Sequence, residues 1–359
     1  MKKVLLWVKV LTLILSFVFV GIASACKAGP APVTESETSA SAVSEETTPV
    51  TAKEETTQAA GTEKYVMCTF LSGIEFWIPC YNGMKAAAKQ LGVEALYQGT
   101  EKYDAMAQAT VLEQIIASNP NGIITTAQNP DALKPTIDKA VDAGIPLVMF
   151  DSDSPDSKRP IFLAGDNYQF GVKGAKMMAQ LCNEEGKMAI ITTIGQLNMM
   201  QRASGFEDTI KADYPNMKVV ATAEEGGSYE NTAARITEIL QANPDLKGIW
   251  VTGSTGPGAA QAVSEAGKKG QVNIIAMDID ERLMELIKSG DVAATLVQGG
   301  WNMGFWSMIM VYYLAHDLLA PLDNWKEAGI SPLPSYVDTG CYIVTKDNVD
   351  MFKNINVAQ

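Results

Sequence analysis

One histidine in 359 residues is too few for any multi-histidine metal centre, and the one present, His316, lies among Tyr313, Leu314 and Leu318 as a helix residue rather than a base. The five cysteines form no C-x-x-C pair and have no histidine nearby, which removes the common zinc and thiol-redox patterns. With Cys26 set aside, Cys68, Cys80, Cys182 and Cys341 each sit in an apolar stretch and read as buried free thiols. Basic residues are the scarcer charge: 28 Lys and Arg against 41 Asp and Glu leave a net charge of −13. That balance argues against nucleic acid and anionic membrane surfaces as partners, because both need a basic footprint. Missing too are a Walker loop, a G-x-S-x-G, an H-E-x-x-H and a G-x-G-x-x-G opening a helix after a strand. The glycine-rich run 253–258 does open a helix after a strand, but it has no lysine or adjacent acid to support phosphate binding. No cofactor and no metal are expected, and a neutral or cationic small ligand fits the charge best.

The first 25 residues stand outside the fold. Lys2 and Lys3 precede an apolar run over 4–22 that ends in Ala23-Ser24-Ala25-Cys26, the pattern of an export signal. A small-residue triplet before cysteine resembles a bacterial lipobox, in which the Cys26 thiol takes a diacylglycerol and becomes the new N-terminus. The same residues satisfy an ordinary A-x-A cleavage rule, and the run is long enough to span a bilayer uncleaved. Residues 27–62 hold no aromatic side chain and are mostly Ser, Thr, Ala, Glu and Pro. Such a segment cannot bury enough apolar surface to fold and reads as a tether.

Beyond the tether, short apolar runs alternate with stretches of helical period. Strands are expected over 64–71, 93–97, 122–125, 145–150 and 160–164, with helices over 77–90, 104–117 and 131–143. The rhythm then repeats, with strands over 187–192, 217–223, 248–252, 272–277 and 292–297 and helices over 168–183, 201–213, 231–242, 257–266 and 281–288. Two successive sets of this kind imply an α/β protein of two doubly wound parallel-sheet lobes. The apolar segment 300–319 is interrupted by Asn302, His316 and Asp317 and is expected as a buried helix rather than a membrane span. A last strand is expected over 336–345. The lobes are assigned as 64–165 with 299–325, and 166–298 with 326–359, after a lipidated and disordered 26–63.

A polar or aromatic residue recurs just past the strands. Phe76 and Trp77 follow the first, Asp151 and Asp153 the fourth, and Arg202 lies in QRASGF; Tyr229 precedes a helix, Asp278 ends AMD and Gln298 ends ATLVQ. In open α/β sheets ligands sit beyond the carboxyl ends of the strands. Flat rings, acids, an arginine and amides are the mixture that holds a sugar, the rings on its C–H face and the planar groups on its hydroxyls.

The spaced set EFW, FDSDSPDSKR, GDNYQFGVKGAKMMA, QRASGF, AMDID, IKSGDVAATLVQ and VDTG resembles the ribose-type, type I periplasmic sugar-binding proteins of ABC transporters. The resemblance implies two lobes joined by a three-strand hinge that closes on a sugar. Carried onto this chain, it implies Phe76 and Trp77 stacking on the sugar, and Asp151 and Arg202 on its hydroxyls. Asp278 and Gln298 do the same from the second lobe and hinge, Asn167 stands past the first crossover, and Tyr229 fills a further aromatic position. Trp301, just after Gln298, adds indole. Gly253-Ser254 stands where Asn-Asp is usual, and Ser152 where arginine is common, so ribose gives way to a hexose or short oligosaccharide.

The expected function is therefore sugar capture by a monomeric, surface-anchored lipoprotein that serves an ABC permease, with no chemistry of its own. One rival is a sensor handing ligand information, such as autoinducer-2 or a sugar, to a membrane receptor. Another is a glycoside hydrolase using Asp151 and Asp153 as its carboxylate pair.

Overall fold

A computed structural model describes residues 62–319 and 324–354. The expected export signal, Cys26 and nearly all of the tether lie outside the described residues. The first lobe is built from β1 (Lys64–Thr69), α1 (Trp77–Leu91), β2 (Glu94–Gly99), α2 (Ala105–Ala117), β3 (Gly122–Thr125), α3 (Pro130–Asp142), β4 (Leu147–Phe150) and β5 (Phe162–Ala164). The second follows with α4 (Asn167–Leu181), β6 (Gly186–Thr192), α5 (Leu197–Asp213), β7 (Met217–Glu224), α6 (Tyr229–Ala242), β8 (Leu246–Val251), α7 (Gly256–Glu265), β9 (Asn273–Met277), α8 (Glu281–Ser289) and β10 (Ala294–Gln298). The chain then makes α9 (Gly300–Ala315), β11 (Tyr336–Asp338) and β12 (Cys341–Thr345).

Local chemistry explains these boundaries. β3 (GIIT) and β4 (LVMF) are buried at every position, as parallel strands covered by helices on both faces must be. Asp104, Asn129, Asp166, Ser228 and Asp280 accept amides of the first turns of α2, α3, α4, α6 and α8, satisfying donors with no partner inside the helix. Gly92, at φ 73°, closes α1 in the left-handed conformation that only glycine adopts without strain.

The two sheets have the same strand order. The first runs β2-β1-β3-β4-β5-β11 and the second β7-β6-β8-β9-β10-β12. Each therefore reverses direction at its second strand, which opens a crevice at the carboxyl ends. The second core lies on both faces of its sheet, Ala189 and Ile191 of β6 on one side and Met188 and Ile190 on the other, as the two-residue period of a strand requires.

Three segments cross between the lobes: Gly165-Asp166 from β5 to α4, Gly299 from β10 to α9, and Thr339-Gly340 from β11 to β12. The single strand expected over 336–345 is thus two strands in different sheets. Thr339 N still donates to Ala164 O at 3.0 Å, but Gly340, at φ 87°, breaks the strand and its amide turns to Asp338 Oδ1 at 2.9 Å. The third crossing falls there and not at residue 326, where the sequence placed the boundary, because nothing in the local pattern reveals which sheet a short strand joins.

Within the apolar segment 300–319, residues 300–315 form α9, which packs on α1 and buries Met303, Met308, Val311 and Leu314. It is not buried all round, since Trp301, Trp306 and Tyr313 are exposed. Among the described residues no helix is long and apolar enough to cross a membrane. Cys68, Cys80 and Cys182 are free and buried, and Cys341 is free and half-buried.

Candidate functional site

Two acids occupy equivalent places in the two lobes. Asp151 follows β4 and Asp278 follows β9, the fourth strand of each sheet order. Each donates its amide to the neighbouring strand, Asp151 to Leu163 O at 3.0 Å and Asp278 to Leu296 O at 2.8 Å. Each has a left-handed backbone, φ 62° and 61°, an uncommon conformation for residues with a Cβ that Asp and Asn tolerate best. That turn ends the strand and redirects the side chain.

Both side chains enter one cavity of about 90 Å³, lined also by Phe76, Trp77, Arg202 and Gln298. Six of the sequence candidates are thus brought together from both lobes. Asp151 is 2% exposed, and removal from water pushes its carboxyl up to about 7; nearby Arg202 opposes the rise and Asp278 adds to it. Asp278 keeps some surface open to the cavity, yet desolvation also raises it, against the pull of Arg202 and the Gln298 amide. Their protein hydrogen bonds are long: Thr126 Oγ1 donates to Asp151 Oδ2 at 3.4 Å and Gln298 Nε2 to Asp278 Oδ1 at 3.3 Å.

Arg202 is fixed from behind. Its Nε donates to Asn167 Oδ1 and its Nη1 to Thr252 O, both at 2.8 Å, and the guanidinium lies 5.8 Å from the centre of the Phe170 ring. Its Nη2, together with Gln298 Oε1 and Gln196 Oε1, is buried with no partner in the protein. A rigidly held donor and two free acceptors beside two carboxylates are what a polyhydroxylated ligand would satisfy.

The remaining candidates have other places. Asn167 is buried and positions Arg202 without lining the cavity. Trp77 is 2% exposed; its indole N–H donates to Phe70 O at 2.9 Å and its ring meets Phe70, Phe76 and Phe150 edge-on. It therefore forms the cavity wall and leaves Phe76 as the more open ring. Tyr229 lines a wider mouth of about 1110 Å³, with its hydroxyl on Asp280 Oδ2 at 2.7 Å and Arg282 over its ring. Asp153 does not line the cavity: Arg159 holds it by two hydrogen bonds, Nη2 to Oδ2 at 2.5 Å and Nε to Oδ1. Only one of the two acids of a hydrolase pair thus reaches the cavity. Trp301 is 41% exposed, stacks on Phe305 and borders a separate surface pocket with Tyr342 and Phe352.

The cavity also contains residues the sequence reading passed over, chiefly Tyr103, Gln196, Asn198, Glu225 and Thr255. Glu225 follows β7 as Asp151 follows β4, so the strand-end rule could have found it. Burial raises its carboxyl, against hydrogen bonds from Thr255 and Thr193. Among the described residues no cluster of His, Cys, Asp and Glu is arranged to hold a metal.

A family profile described as a periplasmic binding protein domain matches residues 65–317. The chain is 29% identical over 239 residues to a D-ribose/D-allose-binding protein of Pseudomonas aeruginosa, covering 62% of this chain and 73% of that protein. It is 28% identical over 284 residues to the D-allose-binding periplasmic protein of Escherichia coli, covering 76% and 91%. Among solved structures it is similar to a sugar-binding protein of a sugar ABC transporter from Bacillus halodurans, at 42% identity and TM-score 0.76, covering 81% of this chain and 100% of that one. It is also similar to AraP, an arabinose binding protein from Geobacillus stearothermophilus, at 45% identity and TM-score 0.73, covering 81% and 99%.

Proposed function

The chain belongs to the periplasmic binding protein domain family, and on that premise we propose that it binds one sugar between its lobes and delivers it to an ABC importer. Asp151, Asp278, Gln298 and Arg202 take the hydroxyls, Phe76 packs on the C–H face, and Trp77 and Asn167 hold that set in place. The observation that carries this reading is the cavity itself, where buried groups with spare hydrogen-bonding capacity come from both lobes. Four or five hydrogen bonds with a charged partner, at about 1.5–3 kcal/mol each, suffice for micromolar affinity, about −8 kcal/mol, with no metal. Closure about the three crossings brings the second-lobe groups onto a ligand already touching the first. The protein binds without turnover.

The size of the space favours a single ring. About 90 Å³ admits roughly six to nine water-sized groups, which suits one sugar ring, whose bonded atoms pack closer than waters, at the two carboxylates; a second ring would have to extend into the wider mouth that shares Phe76 and Asp278. Relatives named for their sugars include binding proteins for ribose and allose, apiose, xylose and arabinose, and glucose and galactose, all monosaccharides. Titration calorimetry of the purified protein against arabinose, ribose, allose, xylose, galactose and glucose tests the proposal; a folded protein giving no heat with any of them refutes it. Export and a lipid on Cys26 would keep the protein at the outer side of the cell membrane as a monomer. Metabolic labelling with a fatty acid tests the anchor, and an unlabelled Cys26 removes it.

A further inference from the structure

We propose that Glu225 is a third acid of the ligand site, accepting a ligand hydroxyl from the second lobe and setting which sugar is preferred. This role rests on the sugar-binding reading above. Glu225 continues the ladder one residue past β7, its amide donating to Thr192 O at 2.9 Å. It is 5% exposed and lines the same cavity as Asp151, Asp278 and Arg202.

Its carboxylate is oriented as well as buried. Thr193 Oγ1 donates to Oε1 and Thr255 Oγ1 to Oε2, each at 2.9 Å, so one hydroxyl holds each oxygen. A carboxylate accepts about four hydrogen bonds, which leaves each oxygen a lone pair for another donor. The neighbouring sequence makes space for this group. A Cβ at Gly253 would lie 2.8 and 2.9 Å from the two carboxylate oxygens, so the volume a side chain would take at position 253 belongs to Glu225.

A buried carboxylate with no basic partner is costly to retain for structure alone. Arg202 is the only cation among the residues lining the cavity, and Asn167 and Thr252 engage two of its three nitrogens. With three acids and one guanidinium lining it, the cavity chiefly accepts hydrogen bonds. A ligand with a free hydroxyl towards β7 gains a charged acceptor, and an epimer that points it elsewhere leaves that acid unpaired.

The test is titration calorimetry of wild type, Glu225→Gln and Gly253→Ala with D- and L-arabinose, D-ribose, D-xylose, D-allose, D-galactose and D-glucose. Gln keeps the shape and replaces the charged acceptor, whereas Ala at 253 displaces the carboxylate without removing it. The expected result is a loss of at least about tenfold for the best sugar and a changed ranking across the panel in both variants. A purely structural link between Thr193 and Thr255 would lower thermal stability and leave the ranking as it was. Variants that keep the wild-type ranking, whether at full affinity or weakened equally for every sugar, overturn the role of Glu225 alone. A wild type that binds none of the panel overturns the sugar reading, and this role with it.

Discussion

Asp151→Asn should make the empty protein more stable and the loaded protein less so. In the folded chain the carboxyl titrates near 7, against 3.8 for a free side chain. The fold therefore holds that proton more tightly than the unfolded chain does, and the stability of the unliganded protein falls as pH rises from about 4 to about 7. The interval is roughly three pH units, which corresponds to a destabilisation of up to about 4 kcal/mol at pH 8. Asn carries no charge and tolerates the left-handed backbone at this position. The unliganded variant should melt several degrees above wild type at pH 8, at about 1.6 °C per kcal/mol for a fold of roughly 300 residues, and the gap should close towards pH 4. The sugar meanwhile loses a charged acceptor worth about 1.5–3 kcal/mol per hydrogen bond, a weakening of roughly 10- to 150-fold. Differential scanning calorimetry at pH 5 and pH 8, with and without arabinose, reads both effects. An unliganded variant no more stable than wild type at pH 8, or one that keeps its full ligand-induced shift, refutes the reasoning.

Three further outcomes follow from the same geometry. Because hydroxyl donors favour the ionised form of Asp151, sugar binding at pH 6 should release a proton, and affinity should strengthen as pH rises through about 7. Calorimetry in two buffers of different ionisation enthalpy measures this, and proton uptake or a flat affinity contradicts it. Asp153→Asn strips the ion pair from Arg159, so it should lower stability by about 3 kcal/mol in urea unfolding while arabinose affinity stays within about twofold. A weakened affinity would put Asp153 back in the ligand site. In Gly304→Ala the new Cβ would lie 1.7 Å from Cys80 O, forcing α1 and α9 apart at a cost of about 1–3 kcal/mol or more. The same change at Gly73, where a Cβ meets nothing within 4 Å, should be nearly neutral by the same urea assay.

What the sequence determined by itself was the alternation of buried strands and helices, and from it the strand ends where polar side chains collect. Asp151, Asp278 and Gln298 were legible because an apolar run that stops at a polar residue is a local signal, set by the two-residue period and by burial on both faces. Tertiary structure decided which polar residues at those ends turn inward. Asp151 and Asp153 look alike in the chain, but a left-handed backbone turns one into the cavity while Arg159, six positions beyond Asp153, ties down the other. Trp77 and Trp301 read alike as indole for a sugar, yet one is sealed among phenylalanines and the other faces solvent, since a helix's orientation depends on what packs against it. The switch of sheets at Gly340 and the carboxylate filling the space at Gly253 involve partners far apart in sequence. Local pattern carries no information about such distances, so those features existed only once the two sheets had been brought together.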